Sequence, residues 1–404
     1  MKIATSLMGA AVLALAAGSA NAQVSDDVIK IGVLNDMSSL YADIGGKGSV
    51  LAAQMAAEDA GGKVLGKPIE IIGADHQNKP DVGAGIAKKW LDTDKVDTIV
   101  DVPTSSVALA VQEVTRERNK LFLMSGPASS DLTGPKCSPV GIAWTYDTYA
   151  LANGTGSALV KQGEDTWFFL TSDYAFGHAL ERDTAAAVTK AGGKVVGAVR
   201  HPLNNSDFSS FLLQAQASKA KVIGLANAGG DTINSIKQAA EFGIISGGQK
   251  LAGLLVFSTD VHSLGLKVAQ GLVITSAFDW DQNDETRAFS KRFAARNGGT
   301  PPTYTQAGVY GEVSHYLKAI KAAGTDDTAK VNAEMRKIPI NDFMTKNGSI
   351  RVDGRVMRDM YLMQVKKPEE SKYAWDYFKV LATIPAEKAF RPLAEGDCPL
   401  VKKG

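Results

Sequence analysis

Three short segments carry most of the chemistry this chain could perform: Asn35-Asp36-Met37-Ser38-Ser39-Leu40-Tyr41, Pro103-Thr104-Ser105-Ser106 and Ser125-Gly126-Pro127-Ala128-Ser129-Ser130. Each follows an apolar run and leads toward a helix-forming stretch. Hydroxyls and free backbone N–H groups at a helix N-terminus hold a carboxylate or other small anion without a basic side chain. A serine in one such loop is equally an ordinary helix cap. Three such loops at neighbouring strand ends point instead to a shared ligand. Its candidate contacts are Tyr41, Thr104, Ser105, Ser106, Ala128 and Ser129.

A second group lies further along. Tyr146 and Tyr149 come first, then Tyr174 and Phe176. Asn227, Gly229 and Asp231 follow one apolar run; Thr259, Asp260 and His262 follow the next. Aromatic rings at strand ends suit an apolar or aromatic ligand body. A hydrophobic amino acid would need an acidic partner for its ammonium, and Asp260 or Asp231 could serve. An aromatic or other hydrophobic carboxylic acid needs none, and Tyr41, Tyr146, Tyr174, Phe176 or Tyr304 would form its walls.

Signatures of catalysis fail on inspection. Gly61 and Gly66-Lys67 have the spacing of a phosphate-binding loop, but Pro68 stands where a serine or threonine must ligate magnesium. No Gly-x-Ser-x-Gly elbow and no Gly-x-Gly-x-x-Gly fingerprint occurs. The five histidines, His76, His178, His201, His262 and His315, are scattered without metal-ligand spacing. Nothing in the sequence asks for a metal or a cofactor.

The elements that must position these loops form a regular alternation. Strands are predicted at 29–34, 69–74, 98–102, 121–124, 167–170, 195–199, 222–226, 254–258 and 272–275. They are continuous apolar runs, as in strands covered on both faces by helices. Amphipathic helices fall between them at 49–60, 82–91, 107–118, 179–191 and 232–242, several ending at glycine. This rhythm predicts doubly wound parallel sheets, whose ligands gather at the carboxyl ends of the strands. It runs once to about Ser125, pauses in a Gly-, Pro-, Ser- and Thr-rich segment from Gly126 to Tyr149, and restarts at Trp167. The pause predicts a crossover between two lobes, and a second is expected near Ala277–Asp281. Helix-forming Gly311–Ala323 then returns to the first lobe and Asp353–Val365 to the second.

Lys2, an apolar run from Leu7 to Ala17 and the small-x-small Ala20-Asn21-Ala22 form a secretory signal peptide over residues 1–22. Its apolar run is too short for a membrane span. The whole chain holds 44 basic and 43 acidic side chains, and loss of Lys2 leaves the mature chain balanced. Such neutrality gives no electrostatic reason to bind nucleic acid or an anionic bilayer. The expected location is the periplasm. In that oxidising compartment the two cysteines, Cys137 and Cys398, predict a disulfide rather than a metal site, with two free buried thiols as the alternative.

Ile29-Lys30-Ile31-Gly32-Val33-Leu34, followed by Gly45-Gly46 and a helix ending Asp59-Ala60-Gly61-Gly62, resembles the start of leucine/isoleucine/valine-type periplasmic binding proteins. Leu65-Gly66-Lys67-Pro68-Ile69-Glu70, Asp75, the Ser125–Thr133 loop and Asp173-Tyr174-Ala175-Phe176-Gly177 continue the likeness over the mature chain. The resemblance implies a type I solute-binding protein of an ABC importer, with two Rossmann-like doubly wound lobes joined by three crossovers. The lobes are expected at 23–145 with 279–342 and at 146–278 with 343–390. A tail over 391–404 would be tied back by Cys137 and Cys398. The resemblance further implies that the loop matching Ala128-Ser129 holds the ligand carboxylate, helped by Thr104–Ser106. It implies that Tyr174 covers the ligand and that an acid near Asp260 receives any α-ammonium. The Ala128–Thr133 loop is one residue shorter than in the amino-acid binders. The expected partners are a small carboxylate-bearing solute and an inner-membrane ABC permease, the protein itself being a monomer. A ligand sensor and a hydrolase on the same scaffold are the competing functional classes.

Overall fold

Ile29, Ile31, Val33 and Leu34 are β-branched or bulky apolar residues with no exposed surface, which is why β1 (Ile29–Asn35) runs through the middle of a sheet. The computed structural model describes residues 24–402, so the expected leader lies outside the described residues. After β1 come α1 (Gly46–Asp59), β2 (Lys63–Val64), β3 (Lys67–Asp75), α2 (Pro80–Asp92), β4 (Thr98–Asp101), α3 (Ser105–Glu117), β5 (Leu121–Met124) and β6 (Gly141–Ala143). The first sheet has the order β2-β3-β1-β4-β5-β6 and is parallel except for the β2–β3 hairpin. Gly61 and Gly62 stop α1 with φ of 86° and 69°, the left-handed region that glycine adopts without steric cost.

The second half begins with α4 (Thr148–Leu151), α5 (Ser157–Lys161), β7 (Thr166–Ser172), α6 (Ala175–Lys190) and β8 (Lys194–His201). It continues through α7 (Ser209–Ala217), β9 (Val222–Ala226), α8 (Gly230–Glu241), β10 (Lys250–Gly253), α9 (Ser258–Leu264), α10 (Leu266–Ala269) and β11 (Val273–Ser276). Its parallel sheet has the order β10-β9-β7-β8. Then follow α11 (Asp284–Ala294), α12 (Tyr304–Ala323), α13 (Thr328–Lys337), β12 (Ser349–Ile350), β13 (Val356–Met357), β14 (Met360–Val365), β15 (Phe378–Ile384) and α14 (Ala386–Ala389). Helix α12 returns to pack against α1, while β14 pairs antiparallel with β11 and β15. The result is the expected doubly wound α/β architecture: two wound parallel sheets linked by strands and helices that cross between them. Among the described residues no helix is long and apolar enough to cross a membrane.

Two expectations need correction. The predicted strand over 254–258 is instead a buried loop running into α9, and the strand lies four residues earlier, at Lys250–Gly253. That strand is at a sheet edge, where the exposed Lys250 is tolerated. Leu254, Leu255, Val256 and Phe257 are buried by interior packing, with no strand pairing. The pause after residue 125 also hides β6, which completes the first sheet before the chain crosses over at about residues 144–147. Cys137 and Cys398 form the expected disulfide, with their Cα atoms 5.6 Å apart.

Candidate solute-binding cavity

Every residue lining the central cavity follows the carboxyl end of a parallel strand. Tyr41 and Ile44 come after β1, Pro103 after β4, Gly126 and Ala128 after β5, and Tyr146 after β6. Tyr174 and Phe176 come after β7, Ala228 after β9, and Leu255 and Phe257 after β10. The cavity thus sits between the two sheets, where wound α/β folds gather ligands. Five of its lining residues are aromatic, and none carries an acidic or basic side chain. Burial raises the phenol pKa of Tyr41 and Tyr146 well above its ordinary value, so both stay neutral.

The backbone supplies the polarity. Tyr174, Phe176 and Phe257 lie at the starts of α6 and α9, Pro103 and Ala228 stand just before the caps of α3 and α8, and Ile44 precedes α1. The cap residues of α1, α3, α6 and α8 make no side-chain capping bond to their own helices. Helix N-termini converging on an apolar, enclosed volume favour a negatively charged group.

Buried polar side chains fix these loops. The fully buried Asp36 carboxylate accepts hydrogen bonds from the backbone N–H groups of Ser38, Ser39 and Tyr41 and from Asn78, which sets Tyr41 against the cavity. At the end of β4 the chain turns through Asp101 and Val102, with φ of 73° and 61°. A β-branched residue in that region is strained, at a cost of about 1–3 kcal/mol. Asn35 Nδ2 donates to Asp101, and Val102 N–H donates to the Leu34 carbonyl at 3.0 Å; the turn they hold carries Pro103 to the cavity wall. Gly126 packs so tightly on this turn that a Cβ there would lie 2.7 Å from Pro103 Cα.

The sequence-predicted residues divide. Tyr41, Ala128, Tyr146, Tyr174 and Phe176 all line the cavity. The Tyr41 and Tyr174 hydroxyls, one from each half, lie 2.6 Å apart across it. Tyr146 donates to the Gly126 carbonyl at 2.8 Å and stands edge-on to Tyr304. Tyr304 stacks on Phe257 at 4.4 Å and forms the wall behind it; its buried hydroxyl has no hydrogen-bond partner among the described residues. Ser105 Oγ accepts from Ser129 N–H at 3.2 Å and so joins two of the hydroxyl loops. Ser129 Oγ accepts from Asp131 N–H and caps the short turn Ser130–Thr133. Thr104 donates to Asn78, while Ser106 sits half-buried on the first turn of α3.

Thr104, Ser105, Ser106 and Ser129 brace the loops behind the lining, and they, Asn227, Asp260 and His262 do not themselves line the cavity. Asn227 bonds Ser235, Thr232 and His201 and shapes the loop that presents Ala228. The Asp260 carboxylate turns back to accept Phe257 N–H at 2.8 Å in the first turn of α9. Burial pushes its pKa up to about 7, with help from the Asp43 charge and against the Phe257 bond. His262 stacks on Trp375 at 4.1 Å and bonds the Tyr377 hydroxyl, in the outer cleft. Asp231 accepts from the backbone of Asn204 and Asn205. The sequence reading missed Ile44, Pro103, Gly126, Ala228, Leu255 and Phe257 as cavity residues. Pro103, Gly126 and Ala228 stood in or beside loops already singled out. Leu255 and Phe257 gave no such signal because their run reads as a strand.

Fold and cavity together define a protein that encloses a small solute between two wound sheets. The periplasmic binding protein family model matches residues 28–372, and the chain belongs to that family. It is 53% identical to a periplasmic binding protein of Burkholderia mallei, covering 93% of this chain and 100% of that one with a TM-score of 0.91. It is 44% identical to a branched chain amino acid ABC transporter periplasmic ligand-binding protein of Burkholderia xenovorans, covering 92% and 99% with a TM-score of 0.82. A Rhodopseudomonas palustris ABC transporter solute-binding protein, solved in complex with benzoate, shares the fold at 21% identity, covering 89% and 98% with a TM-score of 0.79.

Proposed function

We propose that this protein captures a small hydrophobic carboxylic acid, aromatic acids foremost, in the periplasm and passes it intact to an inner-membrane ABC permease. The observation that carries the ligand class is the lining: five aromatic residues and no acidic side chain to receive an ammonium. The carboxylate is met by the N–H groups of Ala128 and the first turn of α3, the Ser129 N–H being held by Ser105, and the ring packs among Tyr41, Tyr146, Tyr174, Phe176 and Phe257. The lobes comprise 23–145 with 279–342 and 146–278 with 343–390, and they close as a hinged monomer on the solute. No bond is made or broken. Two or three charge-assisted hydrogen bonds at about 1.5–3 kcal/mol each, with one buried ring, reach the roughly −8 kcal/mol of micromolar binding after association costs. The benzoate-bound relative supports this reading.

A branched-chain amino acid is the second reading, favoured by the relative sharing 44% identity. It requires Asp231, whose charge reaches the Tyr41 and Tyr174 phenols from outside the lining, to turn inward. Thermal denaturation of the purified protein with benzoate, 4-hydroxybenzoate, 4-methylpentanoate or leucine separates the two readings. The proposal expects the melting temperature to rise with the acids. A rise with leucine alone overturns it, and turnover of a bound acid would return the hydrolase to consideration.

A further inference from the structure

The C-terminal tail reaches back to the loop that carries Ala128. Its Arg391 donates from Nη2 to Ser130 Oγ at 2.6 Å, while Arg182 of α6 donates to the same oxygen at 2.8 Å. Ser130 in turn donates to Asp183 Oδ2 at 2.7 Å. The hydroxyl therefore uses its one donor and both acceptor positions, a saturated arrangement that fixes its direction. Thr148, just past the crossover, donates to the same carboxylate oxygen at 2.6 Å and accepts from Ser130 N–H at 3.1 Å. Ser130 is two residues from cavity-lining Ala128, and α6 begins at cavity-lining Tyr174 and Phe176.

The preceding tail residue supports a second wall of the cavity. Buried Phe390 lies under the Arg355 guanidinium, 4.7 Å from ring to charge, and Arg355 Nη1 donates to the Tyr146 carbonyl at 2.7 Å. The tail is itself held at several points. Arg351 bonds the Arg391 carbonyl at 2.8 Å, Gly134 abuts the Gly396 carbonyl, and Cys398 is bonded to Cys137. Cys137 belongs to the same connection as Ala128 and Ser130, between β5 and β6.

We propose that the disulfide-anchored tail is part of the binding apparatus, with Arg391 as a positioning residue that aims the Ala128–Ser130 loop into the cavity. The role assigned to that loop rests on the proposed function. The test reads amide exchange instead, so it stands or falls without a solute. Hydrogen exchange followed by mass spectrometry on the full oxidised chain compares wild type, Arg391→Ala and Arg391→Lys. Loss of a charge-assisted bond is expected to speed exchange over 126–133 roughly tenfold in Arg391→Ala, with α2 unchanged. Arg391→Lys, which restores one charged donor but not the planar group over Tyr149, is expected to fall between wild type and Arg391→Ala. Reduction of wild type with dithiothreitol should speed the same segment. Unchanged exchange over 126–133 in Arg391→Ala would overturn the proposal. An equal rise throughout the chain would do so too, because Arg391 would then be a general staple.

Discussion

Removing the α-amino group from a hydrophobic solute should strengthen its binding to this protein. Leucine and 4-methylpentanoate share a carboxylate and a branched chain but differ in the ammonium. In the closed cavity that ammonium meets phenols, apolar side chains and backbone, with no carboxylate among the lining residues. Burying an ion without a partner costs several kcal/mol even after local relaxation. A hydrogen bond from the ammonium to a phenol or carbonyl oxygen recovers about 1.5–3 kcal/mol. A net difference of about 3 kcal/mol corresponds to a preference of roughly 100-fold, at 1.4 kcal/mol per tenfold. Isothermal titration calorimetry at neutral pH measures both affinities, and phenylalanine against 3-phenylpropanoate repeats the comparison for an aromatic body. Leu255→Glu, which places a carboxylate on the cavity wall, should reduce or reverse the preference. Leucine binding as tightly as 4-methylpentanoate would show that the missing counter-charge has no energetic consequence and would overturn this expectation.

Three other perturbations follow from the same geometry. Tyr174→Phe removes the hydroxyl contact across the cavity mouth and should weaken solute binding about fivefold, the worth of one hydrogen bond near 1 kcal/mol, as calorimetry would show. Gly229 has φ of 57°, and a Cβ there would lie 2.7 Å from the Leu40 carbonyl oxygen in the opposite half. Gly229→Ala should therefore hold the halves apart, with small-angle scattering reporting a larger radius of gyration in saturating solute than wild type gives. Asp260 contributes a pH effect of defined sign. Its folded-state pKa is raised mainly by burial to about 7, so between about pH 4 and 7 the folded state binds more protons than the unfolded one, and stability falls as pH rises. Asp260→Asn keeps an acceptor for Phe257 N–H but does not titrate. Denaturant unfolding at several pH values should show a shallower decline in the variant, by on the order of 1–3 kcal/mol across that window. An identical slope would remove Asp260 as its cause.

The wound α/β fold was legible because β1, β4, β5 and β9 are short, mostly apolar runs alternating with amphipathic helices. The tyrosines after these runs were legible as cavity residues, whereas the hydroxyls of Thr104, Ser105 and Ser129 turned out to brace the loops instead. Asp260 misled because an acidic residue at a helix start serves equally well as a cap, and only coordinates reveal which N–H its carboxylate accepts. Leu255 and Phe257 were hidden for the opposite reason: an apolar run looks the same whether it pairs as a strand or lines a cavity. The support from Arg391 and Phe390 joins segments more than 240 residues apart in the chain, a relation that local pattern does not carry.

The decisive measurement is a structure of the protein with benzoate bound. Carboxylate oxygens are expected within about 3.2 Å of backbone nitrogens in Ala128 or the first turn of α3, with the ring between Tyr41 and Phe257. A carboxylate paired with a lysine or arginine side chain, or benzoate seated outside the cavity between the two sheets, would contradict the proposed binding mode.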